Sequence, residues 1–194
     1  ARLAGASLTK ADLTGANLGG AVLPNAVMTN ADLQFANLAG ANLSGAIIDV
    51  ASLDGAWLAG ADLTNANLAD TTMVSANLEG ANLSGAIINV ASLNGAWLAG
   101  ADLTNANLVD TKMESANLEG ATLSGARLDE ADLTNANLTG ANLTGASLGN
   151  AGGRSAQLEF ANLSYANLTG VIGWDLVGGK DRIIGLDTAI GVPG

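Results

Sequence analysis

The stretch ANLAGANLSGAIIDVASLDGAWLAGADLTNANLADTTMVS, residues 36–75, returns almost letter for letter as residues 76–115, with only 6 of 40 positions differing. Inside each copy runs a shorter period of five, Ala-(Asp/Asn)-Leu-X-X, and this register is expected to continue unbroken from residue 1 to residue 170. An internal repeat outranks every other signal in a chain, because it sets the architecture. With the Leu of each five as its centre, 34 centres run from Leu3 to Leu168. Twenty-eight are Leu; the others are Met28, Met73, Met113, Ile48, Ile88 and Gly153. Ala stands two residues before every centre except where Thr71 and Thr111 replace it.

Neither the helical period of 3.6 nor the strand period of 2 produces a register of five. A short extended piece followed by a tight corner does. The Leu points inward, the small Ala fits beside it, and the next two residues, often Gly, Asn, Ser or Thr, turn the chain. Each inward Leu contributes on the order of 1.5–3 kcal/mol by burial, so stability is spread along the molecule.

Fives such as Ala11-Asp12-Leu13-Thr14-Gly15 and Ala61-Asp62-Leu63-Thr64-Asn65 resemble the A(D/N)LXX unit of the pentapeptide repeat proteins. The resemblance covers residues 1–170 and is closest to the near-ideal Ala/Leu type common in cyanobacteria. It implies an all-β fold, a right-handed quadrilateral parallel β-helix with four fives per coil. On that reading residues 1–170 make about 8.5 coils of 20 residues, a rod ~40 Å long at ~4.8 Å per strand. The 40-residue duplication then equals two whole coils, which suits a period of 20.

Reading every fourth five as one face sorts the outer positions into columns. Face one carries Ser44, Thr64, Ser84, Thr104, Ser124, Thr144 and Ser164 after its centres, a hydroxyl ladder. Such ladders also occur on ice-binding β-helices, but those generally need two ranks. Local hydrogen bonding to backbone is the expectation here. Face four carries Trp57 and Trp97, a column with Glu79, Glu119 and Glu159, a corner column mostly of glycine, and no Lys or Arg. It reads as the flattest and most uniformly acidic side. Trp57, Trp97, Glu79, Glu119 and Glu159 are therefore the candidate contact surface, the alternative being that duplication copied one accidental Trp. Phe35, Phe160 and Tyr165 at corners are either contacts or local packing.

The register weakens at residues 151–155, where the centre is Gly153, and the tail 171–194 lacks the repeat. If the tail starts the next five, Gly173 lies over Gly153 and leaves two layers hollow. Residues 1–170 are thus read as the β-helix and 171–194 as a closing tail, with Ile172, Trp174, Leu176, Ile183, Ile184 or Leu186 filling the space. Solenoids need closure because an open end exposes apolar core and strand edge. The first coil shows no cap, which leaves end-to-end stacking, a homodimer or a removed upstream segment open.

Composition narrows function. The 194 residues hold no Cys and no His, so the usual nucleophiles, bases and metal ligands are missing. No loop interrupts the repeats to build a pocket, and no catalytic, metal or cofactor site is expected. A net charge of −11 with seven scattered basic residues disfavours direct nucleic acid binding. The six Asn-X-Ser/Thr matches are by-products of the repeat, and the recurrent Asp reads as solvated outer face. No run of 18 apolar residues suggests a membrane span. The chain starts at Ala1 without a signal peptide, and the compartment stays open between cytoplasm and an exported location.

Two functions follow from the resemblance. One is a noncatalytic structural or protein-interaction scaffold with an unknown protein partner. The other is inhibition of DNA gyrase and topoisomerase IV by DNA mimicry, the role of the quinolone-resistance branch. That branch usually shows Phe centres and a dimerising C-terminal helix, whereas no centre here is Phe and the Gly-rich tail is a poor helix former. Residues 1–170 carry 15 acidic and 5 basic residues, a net of −10. B-DNA of the same ~40 Å carries about 24 charges.

Overall fold

The computed structural model describes residues 1–194 apart from Ala151 and Gly153. Its unit is the turn that ends each five. The carbonyl of Leu3 accepts the N–H of Ala6 at 3.0 Å, and the same bond recurs from centre to following Ala along the chain. The second residue after the centre is left-handed at every five from Gly5 to Gly145 and from Phe160 to Gly170, with φ between 55° and 68°. A single positive φ at the third turn position defines a type II turn, which explains why Gly and Asn crowd that column.

Between turns the chain is extended, and each piece pairs in parallel with the piece 20 residues later, from Arg2↔Val22 through Arg127↔Ser147. Four sides thus make one coil of a right-handed, four-sided parallel β-helix. The inter-coil bonds follow one rule. The centre's N–H donates to the next coil (Leu43 to the carbonyl of Asp62, 2.7 Å), and the preceding residue's N–H donates back (Asp62 to the carbonyl of Ala41, 2.9 Å). The left-handed residue also donates forward, as Gly45 does to Thr64 at 2.9 Å.

One N–H per five remains, that of the residue after the centre. The Asp or Asn before the centre takes it: Asn42 Oδ1 accepts from the Ser44 N–H at 3.0 Å, and Asp62 Oδ1 from the Thr64 N–H at 3.0 Å. The polar second position of the repeat is therefore a backbone acceptor as well as a solvated side chain, since a turn donor left without a partner is costly. Where Thr72 and Lys112 stand instead, the donor is served from the coil below, Val74 N–H by Asp54 and Glu114 N–H by Asn94.

Inside, Ala and Leu from residue 21 onward form one continuous buried column, with the centres of the first coil partly covered. Thr71 and Thr111 replace Ala there and give their hydroxyls to the carbonyls of Leu68 (2.7 Å) and Ile88 (3.0 Å).

The unbroken register expected from residue 1 to 170 fails at one place. Beyond Ser147 the spacing changes to 25: Asp132 pairs with Gln157, Asn137 with Asn162, Asn142 with Asn167 and Ser147 with Ile172. The Leu148 carbonyl closes its turn on the N–H of Ala156 at 2.7 Å, eight residues on. Five residues are extruded, framed by the antiparallel pair Gly149↔Ser155, the bond from the Asn150 N–H to the Arg154 carbonyl (3.0 Å) and an Arg154–Glu130 ion pair at 2.8 Å. The 25-residue step brings Leu158 into the layer above Leu133, where an unbroken register would have put a five whose centre has no side chain to bury. Residues 1–170 consequently wind about a quarter-coil less than the 8.5 expected. Ile172 stacks on Ser147, which puts Gly173 over Leu148; the layer expected at Gly153 lies outside the described residues.

The tail keeps winding with two gaps. Ile184 pairs with Asn162 and Ile190 with Asn167, while two 3-10 turns, Trp174–Leu176 and Lys180–Arg182, span the intervening side. Trp174 and Ile183 are buried and Leu186 packs partly against the core, as expected of filling residues. Ile172, Leu176 and Ile184 are exposed instead, and Val171 and Val177 are buried in their place. The reason is register for Ile172 and Ile184, which occupy the outward strand position that Asp or Asn fills elsewhere.

Candidate functional site

Face four is built from the fives centred on Leu18, Leu38, Leu58, Leu78, Leu98, Leu118, Leu138 and Leu163. Its strand column reads Asn17, Asn37, Trp57, Asn77, Trp97, Asn117, Asn137 and Asn162, and each pairs with the next. Trp57 and Trp97 stand in the outward position, 62% and 59% exposed, with only Asn77 between them. The sequence-expected aromatic pair is therefore on one surface and in one column.

Glu79 and Glu119 lie in the adjacent column, two coils apart and both exposed. Asn77 and Asn117 fix their backbones by accepting the Glu79 and Glu119 N–H at 3.0 and 3.2 Å. Sequence reading had singled out the glutamates and not these asparagines, whose signal was their place two residues earlier. Glu79, Trp97, Ala99, Gly100 and Glu119 line a shallow groove of about 570 Å³. The corner glycines 60, 80, 100 and 120 have nothing within 4 Å of where a side chain would start, so this edge of the face is open.

Glu159 does not belong to this column. The Asn135 N–H donates to the Glu159 carbonyl, which stacks Glu159 on Thr134, and its carboxylate pairs with Arg182. The extruded five carries every later residue one face back, which removes Glu159 from face four and moves Ser164 onto it. Ser164 accordingly leaves the hydroxyl ladder, and Thr169 stacks above Thr144 there. Face four is not the most acidic side either. Face three carries Asp12, Asp32, Asp54, Glu114, Asp132 and Glu159, against Glu79 and Glu119 on face four. Face four remains free of Lys and Arg.

The hydroxyl ladder is engaged locally. Ser44, Thr64, Ser84, Thr104 and Thr144 donate their hydroxyls to the Asx carboxyl or amide two residues back, at 2.6–2.7 Å. Asp12 shows the same arrangement: the Thr14 hydroxyl, and secondly the Thr14 N–H, hold its carboxyl below the usual carboxylate range. Phe35, Phe160 and Tyr165 are exposed at left-handed corners, Phe35 and Phe160 on face three and Tyr165 on face four. Among the described residues no helix is long and apolar enough to cross a membrane.

The solved structure of HetL, a pentapeptide repeat protein involved in heterocyst differentiation regulation from the cyanobacterium Nostoc sp. strain PCC 7120, is 34% identical, with 97% of this chain and 86% of that chain covered and a TM-score of 0.42. A pentapeptide repeat protein from the Arabidopsis thaliana thylakoid lumen is 26% identical over 58% of this chain and 82% of that one, TM-score 0.47. QnrB1, a plasmid-mediated fluoroquinolone resistance protein, is 21% identical over 97% and 88%, TM-score 0.49. None of the curated proteins matches the chain in sequence. The family model for pentapeptide repeats matches in 8 copies, over residues 6–45, 51–89, 91–125 and 112–150, and the chain belongs to the pentapeptide repeat family.

Proposed function

We propose that this chain is a noncatalytic protein-interaction rod that presents face four to a protein partner. The observation carrying the proposal is the pair of exposed indoles in one column on the side without a basic residue. An exposed Trp costs apolar hydration, and Trp is the residue type most enriched where interfaces concentrate their energy. HetL, at 34% identity, is involved in heterocyst differentiation regulation, which favours regulatory contact over catalysis for this chain as well. The tail 171–194 is assigned as the closure of the rod, keeping its end from pairing with other strands.

The DNA-mimic reading draws on the carboxylates of face three, but these are interrupted by Val74, Asn94 and Lys112 and sum to far less charge than duplex DNA. A photo-crosslinking residue at position 99, beside Trp97 on face four, compared with positions 107 on face two and 102 on face one, tests the interaction reading in extract of the source organism. Crosslinking of one protein from position 99 alone, lost when Trp57→Ala/Trp97→Ala is added at unchanged melting temperature, is expected. Equal crosslinking from all three positions, or inhibition of gyrase supercoiling by the purified protein, would overturn it.

A further inference from the structure

The duplication left Trp57 and Trp97 in unequal surroundings. In the column beside the indoles, Trp57 has Ala39 in the coil below and Glu79 in the coil above; Trp97 has Glu79 below and Glu119 above. Trp97 is the indole placed between two carboxylates, each ~4.8 Å away along the rod axis. It lines the 570 Å³ groove that both glutamates also line. Neither glutamate has an ion-pair partner among the described residues, whereas Asp129, Glu130 and Glu159 all do. Gly100 keeps the corner beside the ring clear.

We propose that this groove receives a cationic side chain, an arginine presented by an extended segment of a protein partner. The inference rests on face four being the contact surface, and it adds the chemistry of what docks there. An aromatic ring attracts a guanidinium to its face, and the attraction grows when carboxylates neutralise the same cation. The carboxylates stand two coils, ~9.6 Å, apart, too far to share one metal ion at ligand distances of ~2–2.6 Å. Each is long enough to lean half that distance toward a planar cation stacked on Trp97. Arginine fits better than lysine because its fork can meet both carboxylates while its plane lies on the ring. The pairing already has a counterpart in this molecule, where Lys180 Nζ lies 5.4 Å from the Trp174 ring centre. The site of Trp57, with Ala39 in place of one glutamate, lacks half the charge and is the built-in comparison.

The test is an NMR titration of the full chain with the blocked tripeptide acetyl-Gly-Arg-Gly-amide at low ionic strength, following the indole N–H signals of Trp57 and Trp97. A saturable shift of Trp97, with a smaller response of Trp57, is expected. Binding should weaken about tenfold in Glu79→Gln/Glu119→Gln, and also in Trp97→Ala, where the backbone N–H signals of the groove residues Ala99 and Gly100 report it instead. Asp102→Asn/Glu114→Gln, which removes the same charge from faces one and three, should change the affinity by less than about twofold. These residues are all on the outside, so folding is not at stake; the unchanged melting temperature of each variant checks it. Equal weakening by both charge-removing pairs would show attraction to net charge only and overturn the proposal. Equal binding of the uncharged control acetyl-Gly-Gln-Gly-amide would overturn it as well. So would a Trp97 shift that follows protein concentration without peptide, which would mean that a second copy covers the groove. If the tripeptide does not bind while crosslinking at position 99 succeeds, the cation is wrong and the contact face stands; if both fail, the face itself is wrong.

Discussion

Val50 and Val90 are the two β-branched residues forced into the left-handed corner, with φ of 58° and 63°. A residue with a Cβ spends about 1–2 kcal/mol in that conformation, and β-branching makes it worse. Asn tolerates the same region because its short polar side chain bonds locally, and the corners above and below Val50 already hold Asp70 and Asn30. Val50→Asn and Val90→Asn should therefore each recover about 1–2 kcal/mol of strain. The valines are 52% and 49% exposed, so about half of a side-chain burial, roughly 0.5–1 kcal/mol, is lost in exchange. The net gain centres near ~0.75 kcal/mol per site within a range of about 0–1.5, and the sites lie two coils (~9.6 Å) apart, far enough for the effects to add. For a chain of this length the double variant should melt roughly 2–8 °C higher. The assay is thermal unfolding by circular dichroism beside Val50→Ala/Val90→Ala. Ala loses the same packing and has no side-chain amide to bond locally in the left-handed corner, so it should gain less than Asn. A double Asn variant that melts no higher than the parent, or an Ala variant that rises as much, would refute the strain argument.

Three further outcomes follow. Asn42→Ala removes the acceptor of the Ser44 N–H and hydroxyl and should cost about 1 kcal/mol in urea unfolding, whereas Asn42→Asp keeps both bonds and should cost far less. Asp12, whose carboxyl is held low by Thr14, contributes stability that is complete above the unfolded carboxylate value of about 3.9 and disappears as pH falls through the lower folded value. Thr14→Ala should move the Asp12 titration midpoint by NMR back up toward the ordinary range. Removing residues 171–194 uncovers the last coil and the layer that Trp174, Val177 and Ile183 bury, each of which contributes about 1.5–3 kcal/mol. Loss of stability or aggregation is expected, and an unchanged melting temperature would reject the closing role.

The coil, its four faces and the inward Leu column were legible because identical fives offer no second way to bury Ala and Leu. The placement of Trp57, Trp97, Glu79 and Glu119 was legible for the same reason, since they lie where the 20-residue pairing is still regular. Residues from Ala156 onward were assigned one face too far because five extra residues leave the count of fives intact. Only the pairing of Asp132 with Gln157, which depends on whether Gly or Leu fills a layer, reveals it. Glu159 and Ser164 were assigned to the wrong faces by that one step. The second position of the repeat was read as solvated polarity; its bond to the turn N–H is a local geometric fact that hydropathy does not carry.

Every face assignment from Ala156 onward depends on the step to 25 residues, and engineered disulfides test it in a chain that has no cysteine of its own. Residues stacked in neighbouring coils lie ~4.8 Å apart at Cα, within the span a disulfide bridges. Thr134→Cys/Glu159→Cys should oxidise to an internal disulfide, and Thr139→Cys/Glu159→Cys, a corner apart, should remain reduced. Bridging of the second pair and not the first would contradict the extruded five, return Glu159 to the column of Glu79 and Glu119, and undo the placement of the last coil.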